Sequence, residues 1–388
     1  MTTHVFIVDL ITFKYHLEYM FAGTGAKNEK VDFNNSPTSH LNPTIENMLV
    51  GMTADANRVR KGDLIIFYVQ QNLQKGIYEG KFFGIFQAKQ DWSFLDNKDE
   101  GQYLKNELVK SLTFRTLIEP YRVYPEGVTE WEALDEIKHI QSPNQMLWSL
   151  IYRKLKANRG NTMITIYESE RLCQLIRNKN NRTELPYDNK LLSFDADTQR
   201  IVSSDEPLRQ YTGRREEFNI FPRLRKKFLD GKSFEPHLQS YIVRNIGKGL
   251  NKSLDSLLPH KCAIEWIGNE VSCGVGMQRI DVMLSLIDNE QRIVIPIELK
   301  ACEPNEDNVI QIQRYIDWIE QYYIPNRQSD IQPLLIAEKI DNASPKFKQV
   351  IQSFNGFNSS NQQRCKSLKY MEYEITNSSI DFRMVKYS

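Results

Sequence analysis

The chain has 388 residues, of which 40% are apolar, 26% charged and 11% aromatic, and its formal net charge is +1. This length and apolar content predict two domains, each with its own core. No apolar run approaches the ~18–20 residues that a membrane span needs, and the first residues lack a basic start and a cleavage site, so we expect a cytoplasmic protein that does not enter the membrane. The five cysteines form no CxxC pair and the six histidines form no HExxH motif, which disfavours a zinc site and a disulfide framework.

Residues 1–178 are predicted to form the first domain. Alternating apolar residues between Gly and Asp predict strands in "KGDLIIFYVQ" and "GIYEGKFFGIFQAKQDW". The stretch "SPNQMLWSLIYRKLKANRG" predicts a helix that ends near Gly160, and "NTMITIYESERLCQLIRNK" predicts a strand followed by a helix. The next segment, residues 179–213, is polar and rich in Asn, Asp and Ser, which predicts a linker, free or docked on a neighbouring domain.

Residues 214–388 are predicted to form a second domain, and it opens with a basic run. The stretch "RREEFNIFPRLRKKFLDGK" holds seven Arg or Lys residues against three Asp or Glu. Arg225 and Lys226 in this run would either neutralise DNA phosphates or lie on a solvated helix face. The sequence leaves these two interpretations open.

Mixed strands and helices follow the basic run. "SFEPHLQSYIVRNI" predicts a helix with Ser233 as its N-cap, and "NEDNVIQIQRYIDWIEQYY" and "SPKFKQVIQSFN" predict two more helices. "QPLLIAEKI", "KYMEYEIT" and "IDFRMV" predict strands. This order is typical of a sheet flanked by helices.

Between these elements, residues 279–301 predict a β-hairpin with a polar turn at residues 288–291. Ile287 then faces Arg292, and the same register places Asp281 directly opposite Glu298, roughly 5 Å apart at Cβ. Lys300 lies two residues further on, hence on the same face. The other face is wholly aliphatic, which fixes the register, because a slip of one residue would bury the charges.

Two adjacent carboxylates repel each other unless a cation compensates them. Mg²⁺ does so well, because it binds one or two carboxylates together with water and phosphate oxygens. A neighbouring lysine would orient or deprotonate the attacking water and stabilise charge on the phosphate. The alternative is a surface cluster of Asp281, Glu298 and Lys300, an ion pair of little energetic value.

The flanking residues favour the metal site. Asp281, followed after a turn by Glu298-x-Lys300 and a helix, resembles the PD-(D/E)xK nuclease superfamily. The stretches "GVGMQRIDVML", "VIPIELKA" and "VIQIQRYIDWI" resemble the catalytic domain of the archaeal NucS-type endonucleases over residues 230–388. The resemblance implies a restriction-endonuclease-like mixed sheet, Mg²⁺ as cofactor, and Asp281 and Glu298 as metal ligands.

The same resemblance assigns further residues to the catalytic set. Gln311, with Arg314, Tyr315 and Trp318, lies on one face of a helix by its spacing. Glu235 begins an E-x-x-x-Q helix and is implied as a helper of the metal site. Its alternative role is an acid that stabilises a helix N-terminus. Glu270 fits the pattern more weakly.

"RKGDLIIFYVQ" and the Gly-bearing strand after it resemble the PUA-like group that includes the EVE and YTH domains. The resemblance implies a small β-barrel with helices that reads modified or extruded bases. Aromatic rings would stack on the base, and each candidate also fits a core position. The candidates are Tyr68, Trp92, Phe94 and Trp148. Arg122, with Arg115, Tyr121 and Tyr124 around it, would track the phosphate backbone.

The sequence therefore predicts a two-domain protein of the α+β and α/β classes that cuts double-stranded DNA. A restriction enzyme fits this layout, either sequence-specific with a partner DNA methyltransferase or dependent on a base modification. A homodimer is expected, because one catalytic set cuts one strand and a duplex has two. The alternatives are a repair endonuclease that acts on mismatched or branched DNA, and a non-catalytic nucleic-acid-binding protein. The intact set of Asp281, Glu298 and Lys300 argues against the latter.

Overall fold

The structure is a computed structural model that describes residues 1–26, 30–33, 43–134, 137–153, 160–259, 262–274, 278–288, 291–326 and 329–387. The chain folds into two compact units, Met1–Phe218 and Asn219–Ser388. Both mix strands with helices, which gives the expected two-domain α+β architecture. None of the helices within these ranges is long and apolar enough to cross a membrane.

The first unit is built on a curled eight-stranded sheet and a separate two-stranded sheet, with helices around them. Its strands are β1 (Thr3–Val8), β2 (Phe21–Thr24), β3 (Leu64–Val69), β4 (Lys81–Ala88), β5 (Phe94–Leu95), β6 (Phe114–Pro120), β7 (Val128–Thr129), β8 (Asn161–Ile164), β9 (Lys190–Asp195) and β10 (Arg200–Pro207). Its α-helices are α1 (Leu10–Glu18), α2 (Pro43–Asn57), α3 (Lys105–Leu108), α4 (Glu130–Leu134), α5 (Trp148–Arg153) and α6 (Ile166–Lys179). Short 3₁₀ turns lie at Leu73–Lys75, Ile137–His139 and Pro143–Gln145.

The strands pair in the order β2-β6-β4-β3-β1-β8, and the sheet curls into a half-barrel. β1 and β3 are parallel, and the other neighbours in this order are antiparallel. The predicted strands on either side of residue 75 are β3 and β4. The predicted strand and helix after Gly160 are β8 and α6, and α6 begins with a capping box between Thr165 and Glu168. Of the helix predicted before Gly160, the described part is α5; residues 154–159 lie outside the described ranges.

The segment 179–213, predicted as a linker, folds into the first unit. β9 and β10 form an antiparallel hairpin, and Phe194 of β9 contacts Phe13 of α1 with ring centroids 4.8 Å apart. Leu192 and Ile201 are buried in the same core. Most of β10 is exposed, which is why the segment is polar on average although one face is apolar.

The second unit contains a seven-stranded mixed sheet in the order β11-β12-β13-β15-β16-β17, with β14 beside β13. The strands are β11 (Ala263–Ser272), β12 (Arg279–Asp288), β13 (Gln291–Leu299), β14 (Ser329–Ile331), β15 (Leu334–Glu338), β16 (Lys369–Ile375) and β17 (Ile380–Val385). The helices are α7 (Phe221–Leu229), α8 (Glu235–Asn245), α9 (Lys252–Asp255), α10 (Asn308–Trp318) and α11 (Pro345–Ser360), and a π-helical turn at Ile319–Tyr323 extends α10.

The predicted N-cap of α8 is wrong. The helix begins at Glu235 with Phe234 at the N-cap, and no side chain caps it. The carbonyl of Ser233 instead accepts a hydrogen bond from the Lys227 ammonium. The first four backbone N–H groups of a helix have no partner within the helix, and a capping side chain normally accepts from one of them. Pro236, at the second helical position, has no N–H, so fewer such donors remain to be capped.

The central hairpin has the predicted register. β12 and β13 pair from Val282 opposite Ile297 to Asp288 opposite Gln291, and turn residues 289–290 lie outside the described ranges. Its aliphatic face is buried except for the partly exposed Ile293. Burial of this face holds the polar end of the hairpin in place.

Candidate active site

Asp281 and Glu298 lie side by side at the end of the central hairpin. The β12–β13 ladder begins at the pair Val282 and Ile297, so the next residues along the two strands are Asp281 and Glu298. Oδ2 of Asp281 accepts a hydrogen bond from the backbone N–H of Leu299 at 2.8 Å. The two carboxylates predicted to be neighbours are therefore brought together by strand pairing.

Glu298 is fully buried, which is unusual for a carboxylate. The Tyr315 hydroxyl donates to Oε2 of Glu298 at 2.5 Å. On the other side, the Lys300 ammonium forms an ion pair with Oε1. The ammonium compensates one of the two neighbouring carboxylates, so the pair of Asp281 and Glu298 together with Lys300 keeps an excess of negative charge when both carboxylates are ionised. A buried excess of negative charge is a place where a cation stabilises the protein.

Glu235, the first residue of α8, faces the same pocket. Its Oε2 lies 4.0 Å from Nζ of Lys300. One turn later, Gln239 donates from Nε2 to the carbonyl of Asp281 at 2.8 Å, so α8 is fastened to β12 beside the carboxylates. A cavity of about 370 Å³ opens there, and its walls are Glu235, Pro236, Gln239, Glu270, Arg279 and Asp281.

The electrostatics of the pocket follow from burial and from crowded negative charge. Burial, and next the charge of Glu298, raise the pKa of Asp281 well above its usual range. Burial also raises the pKa of Glu235, although Lys300 opposes this effect. For Lys300, burial favours the neutral amine, but the adjacent carboxylates, above all Glu298, outweigh burial and raise its pKa. Lys300 is thus an ammonium at neutral pH.

The donor set suits a hard divalent cation of the Mg²⁺ type. Mg²⁺ binds through one or two carboxylates and keeps several waters. Asp281 lines the cavity, and the buried Glu298 lies beside it on the neighbouring strand. Across the described ranges, no group of three or more His, Cys, Asp or Glu side chains is arranged to hold a metal ion. The fit therefore rests on the pair of adjacent carboxylates, whose two negative charges are met by the single ammonium of Lys300.

Gln311 does not reach the carboxylates itself. Its Nε2 donates to the Tyr315 hydroxyl at 3.0 Å, and Tyr315 lies between Gln311 and Glu298. Tyr315 was predicted only as a residue on the same helix face, without a role. Its i, i+4 spacing from Gln311 was the available signal. Arg279 was missed altogether, although it lies two residues before Asp281.

The aromatic residues predicted to read bases lie on separate elements of the first unit. Tyr68 is fully buried in β3, and its hydroxyl donates to Oε2 of Glu130 at 2.7 Å. Since the ring packs in the core, it offers no open face to a base, and this candidate is corrected to a core residue. Phe94 is likewise fully buried.

Trp92 and Trp148 differ from Tyr68. Trp92 is 42% exposed and touches Phe94 edge to face, so a large part of the residue is accessible to solvent. Trp148 begins α5 and is partly buried, with its indole N–H bonded to the carbonyl of Pro143. Of the predicted base readers, Trp92 has the most accessible ring.

The two arginines predicted to follow the phosphate backbone differ in exposure. Arg122 is half exposed beside Glu184 and stacks over the Tyr121 ring. Arg115, in contrast, is fully buried and pairs with Asp96 at 3.1 Å. Its expected phosphate role is therefore corrected to a structural ion pair.

The predicted basic run is divided between the two units. Arg214 lies in the first unit and pairs with Asp96 and Asp99. On α7 in the second unit, Arg225 donates to the side chain of Asn377, and Lys226 lies 3.4 Å from Asp230.

No family model matches the chain. No curated protein matches it either. Among solved structures, the chain is similar to SfsA of Pyrococcus furiosus in complex with Ca²⁺, with 12% sequence identity and a TM-score of 0.23, over 52% of this chain and 91% of that chain. A similarity of that size carries no conclusion about function.

Proposed function

We propose that this protein is a Mg²⁺-dependent endonuclease that hydrolyses phosphodiester bonds in double-stranded DNA. The observation that carries the proposal is the pair of adjacent carboxylates, Asp281 and Glu298, with the Lys300 ammonium against one of them. A protein that only binds DNA has no use for repelling carboxylates at the edge of a cavity, because they also repel phosphate.

Asp281 and Glu298 would hold the metal ion, and Glu235 would help from the first turn of α8. When bound, the ion stabilises the negative charge that develops on the phosphate oxygens. The electrostatics support this assignment, because the charge of Glu298 raises the pKa of Asp281, and a cation between the two carboxylates would relieve this repulsion. Hydrogen bonds from Leu299 to Asp281 and from Tyr315 to Glu298 hold the two ligands in fixed orientations.

Lys300 acts in this proposal as a positive charge. Because its neighbours raise its pKa, it donates hydrogen bonds and cannot accept a proton while the pocket is free of metal. It would contact the phosphate and stabilise the transition state electrostatically. Gln311 acts through Tyr315, so it is a positioning residue.

The first unit would supply specificity, with Trp92 and Arg122 on its DNA-binding surface. In this reading the protein is a restriction enzyme, sequence-specific or modification-dependent, that works as a homodimer. A DNA methyltransferase would be its genetic partner in the sequence-specific case. Plasmids with unmodified, methylated and hydroxymethylated bases distinguish these cases, and a mismatched duplex tests a repair role.

The decisive experiment is a nicking assay on supercoiled plasmid in Mg²⁺. Glu298→Gln and Asp281→Asn keep the shape of each side chain and remove its charge, so each should lower the rate by at least about 10²–10³-fold with DNA binding retained. Glu372→Gln is the matched control, because Glu372 is also a buried carboxylate in the same sheet. Wild-type cleavage by Glu298→Gln would refute the proposal.

A further inference from the structure

Arg279 lies in the wall of the cavity beside Asp281. It is the first residue of β12, and its Nη1 donates to Oε2 of Glu270 at 2.5 Å. Both side chains are partly exposed, at 35% for Arg279 and 21% for Glu270. The pair therefore stands where a ligand enters the pocket from solvent.

Glu270 reaches this position through an interruption of strand pairing. On either side of it, Asn269 pairs with Val282 and Val271 pairs with Ile280, so Glu270 lies beside Asp281 in the register. Its φ is +48°, a left-handed conformation that is disfavoured for any residue except Gly. A single left-handed residue within a strand marks a locally constrained backbone, which holds Glu270 at the cavity wall.

A second arginine pair on the same strands provides a comparison. Arg292 binds Glu265 through two parallel hydrogen bonds, Nε to Oε2 at 2.9 Å and Nη2 to Oε1 at 2.7 Å. Arg279 uses only Nη1 towards Glu270, and within the described ranges its Nε and Nη2 form no hydrogen bond. The Arg292 pair is bidentate, as is typical of a structural ion pair. The Arg279 guanidinium has donor nitrogens that can bind another acceptor.

The charges of the pocket identify that acceptor. Three carboxylates, Glu235, Glu270 and Asp281, line the cavity, and Lys300 already lies against a fourth, the buried Glu298 beside Asp281. An anionic phosphate entering this site needs a positive partner besides the metal ion and Lys300. A planar guanidinium with two remaining donor nitrogens matches two oxygens of a phosphodiester.

We propose that Arg279 binds a phosphate of the DNA strand in this pocket, and that Glu270 holds the guanidinium until the phosphate displaces it. This inference rests on the proposed function, since it names the substrate group that the same pocket receives. Glu270 and the phosphate therefore compete for the Arg279 guanidinium. The DNA affinity of the protein depends on how readily the phosphate replaces the Glu270 carboxylate.

The test measures the affinity of the full chain for a fluorescent DNA duplex by anisotropy, in Ca²⁺ and over a range of salt concentrations. A lost phosphate contact lowers the slope of log K against log salt by about 0.9. Arg279→Gln should show this loss, Arg279→Lys should keep part of the slope, and Glu270→Gln should bind more tightly than wild type. Arg292→Gln and Glu265→Gln are the matched controls and should leave the slope unchanged.

A wild-type slope for Arg279→Gln, or weaker binding by Glu270→Gln, would overturn the inference. Plasmid cleavage by the same variants and by Glu298→Gln separates the two claims. If cleavage depends on Glu298 but the slope does not depend on Arg279, only this inference fails. If no variant and no wild type cuts DNA while the slope depends on Arg279, the phosphate contact stands and the endonuclease fails. Melting temperatures show which variants are folded, and Arg279→Met, which also removes the charge, serves if Arg279→Gln does not fold.

Discussion

The Tyr315 hydroxyl lies 2.5 Å from Oε2 of Glu298 and 3.0 Å from the carbonyl of Arg279. One side chain of α10 therefore touches both central strands of the hairpin, β13 through a carboxylate and β12 through its backbone. Burial and the charges of Asp281 and Glu298 raise the pKa of Tyr315, so the hydroxyl keeps its proton and remains a donor. This contact fixes the orientation of a buried carboxylate that strand pairing alone leaves free to rotate.

Tyr315→Phe tests whether this contact serves the metal site. The variant keeps the packing of the ring and removes the donor to Glu298. Loss of a residue that orients a metal ligand costs about 10–100-fold in metal affinity or activity, so we expect the Mg²⁺ concentration for half-maximal nicking to rise by that factor. Tyr370→Phe is the control, because Tyr370 is also fully buried, lies on β16 of the sheet that contains Glu298, and is near another carboxylate, Glu372. An unchanged Mg²⁺ requirement would exclude a role for Tyr315.

Asp281→Asn should stabilise the metal-free protein at neutral pH. Burial raises the pKa of Asp281 in the folded state, so the folded state binds more protons than the unfolded state. Stability then falls as pH rises above the unfolded value of about 3.9. The variant has no carboxyl group to ionise at this position, so it does not lose this stability as pH rises. Its side-chain amide oxygen still accepts the hydrogen bond from the backbone N–H of Leu299.

The measurement is the melting temperature in EDTA between about pH 4 and pH 8. Asp281→Asn should melt higher than wild type near neutral pH, by about 2–4 °C for each kcal/mol gained. The difference should vanish towards the acid end. Mg²⁺ should raise the melting temperature of wild type and have little effect on the variant. A variant that melts lower than wild type at neutral pH would contradict the assignment.

A fragment of residues 219–388 should fold and cut DNA without selectivity. It begins at the boundary of the second unit, whereas a start at Arg214 would carry that arginine without its partners Asp96 and Asp99. Circular dichroism checks the fold, and nicking of matched target and non-target duplexes checks selectivity. Full discrimination by the fragment would leave the first unit without a reading role.

The hairpin register was predictable because it depends on neighbouring residues. Eight aliphatic residues lie on one face of the two strands, and Asp281 and Glu298 lie on the other, so a slip of one residue in the pairing would turn the charges towards the core. The role of Tyr315 was not predictable in the same way, because it depends on how α10 approaches β13. The ion pair of Arg115 with Asp96 is also non-local, because Asp96 directly follows β5 whereas Arg115 lies on β6. The two side chains meet only in the folded core.

The polar hairpin of β9 and β10 shows a second limit of the sequence. Its buried residues, such as Phe194 and Ile201, are few and separated by exposed ones, so the average composition resembles that of a linker. The burial of Phe194 against Phe13 becomes visible only when α1 is in place. The composition therefore predicts an end of the first domain at residue 178, whereas the first compact unit extends to Phe218.

Among the residues of the first unit, Trp92 gives the sharpest test of base reading. Its ring is 42% exposed and rests edge to face on Phe94, so removing it leaves the core nearly intact. A stacking contact is worth about 1–3 kcal/mol, and Trp92→Ala should weaken duplex binding by roughly five- to a hundredfold. Trp131→Ala is the matched control, because Trp131 is 63% exposed in the same unit and has no predicted role in binding. A large drop in melting temperature with unchanged affinity of the folded fraction would make Trp92 a packing residue. Equal losses of affinity in both variants would point to a general surface effect, and a loss confined to Trp92→Ala would support a base stacked on its open face.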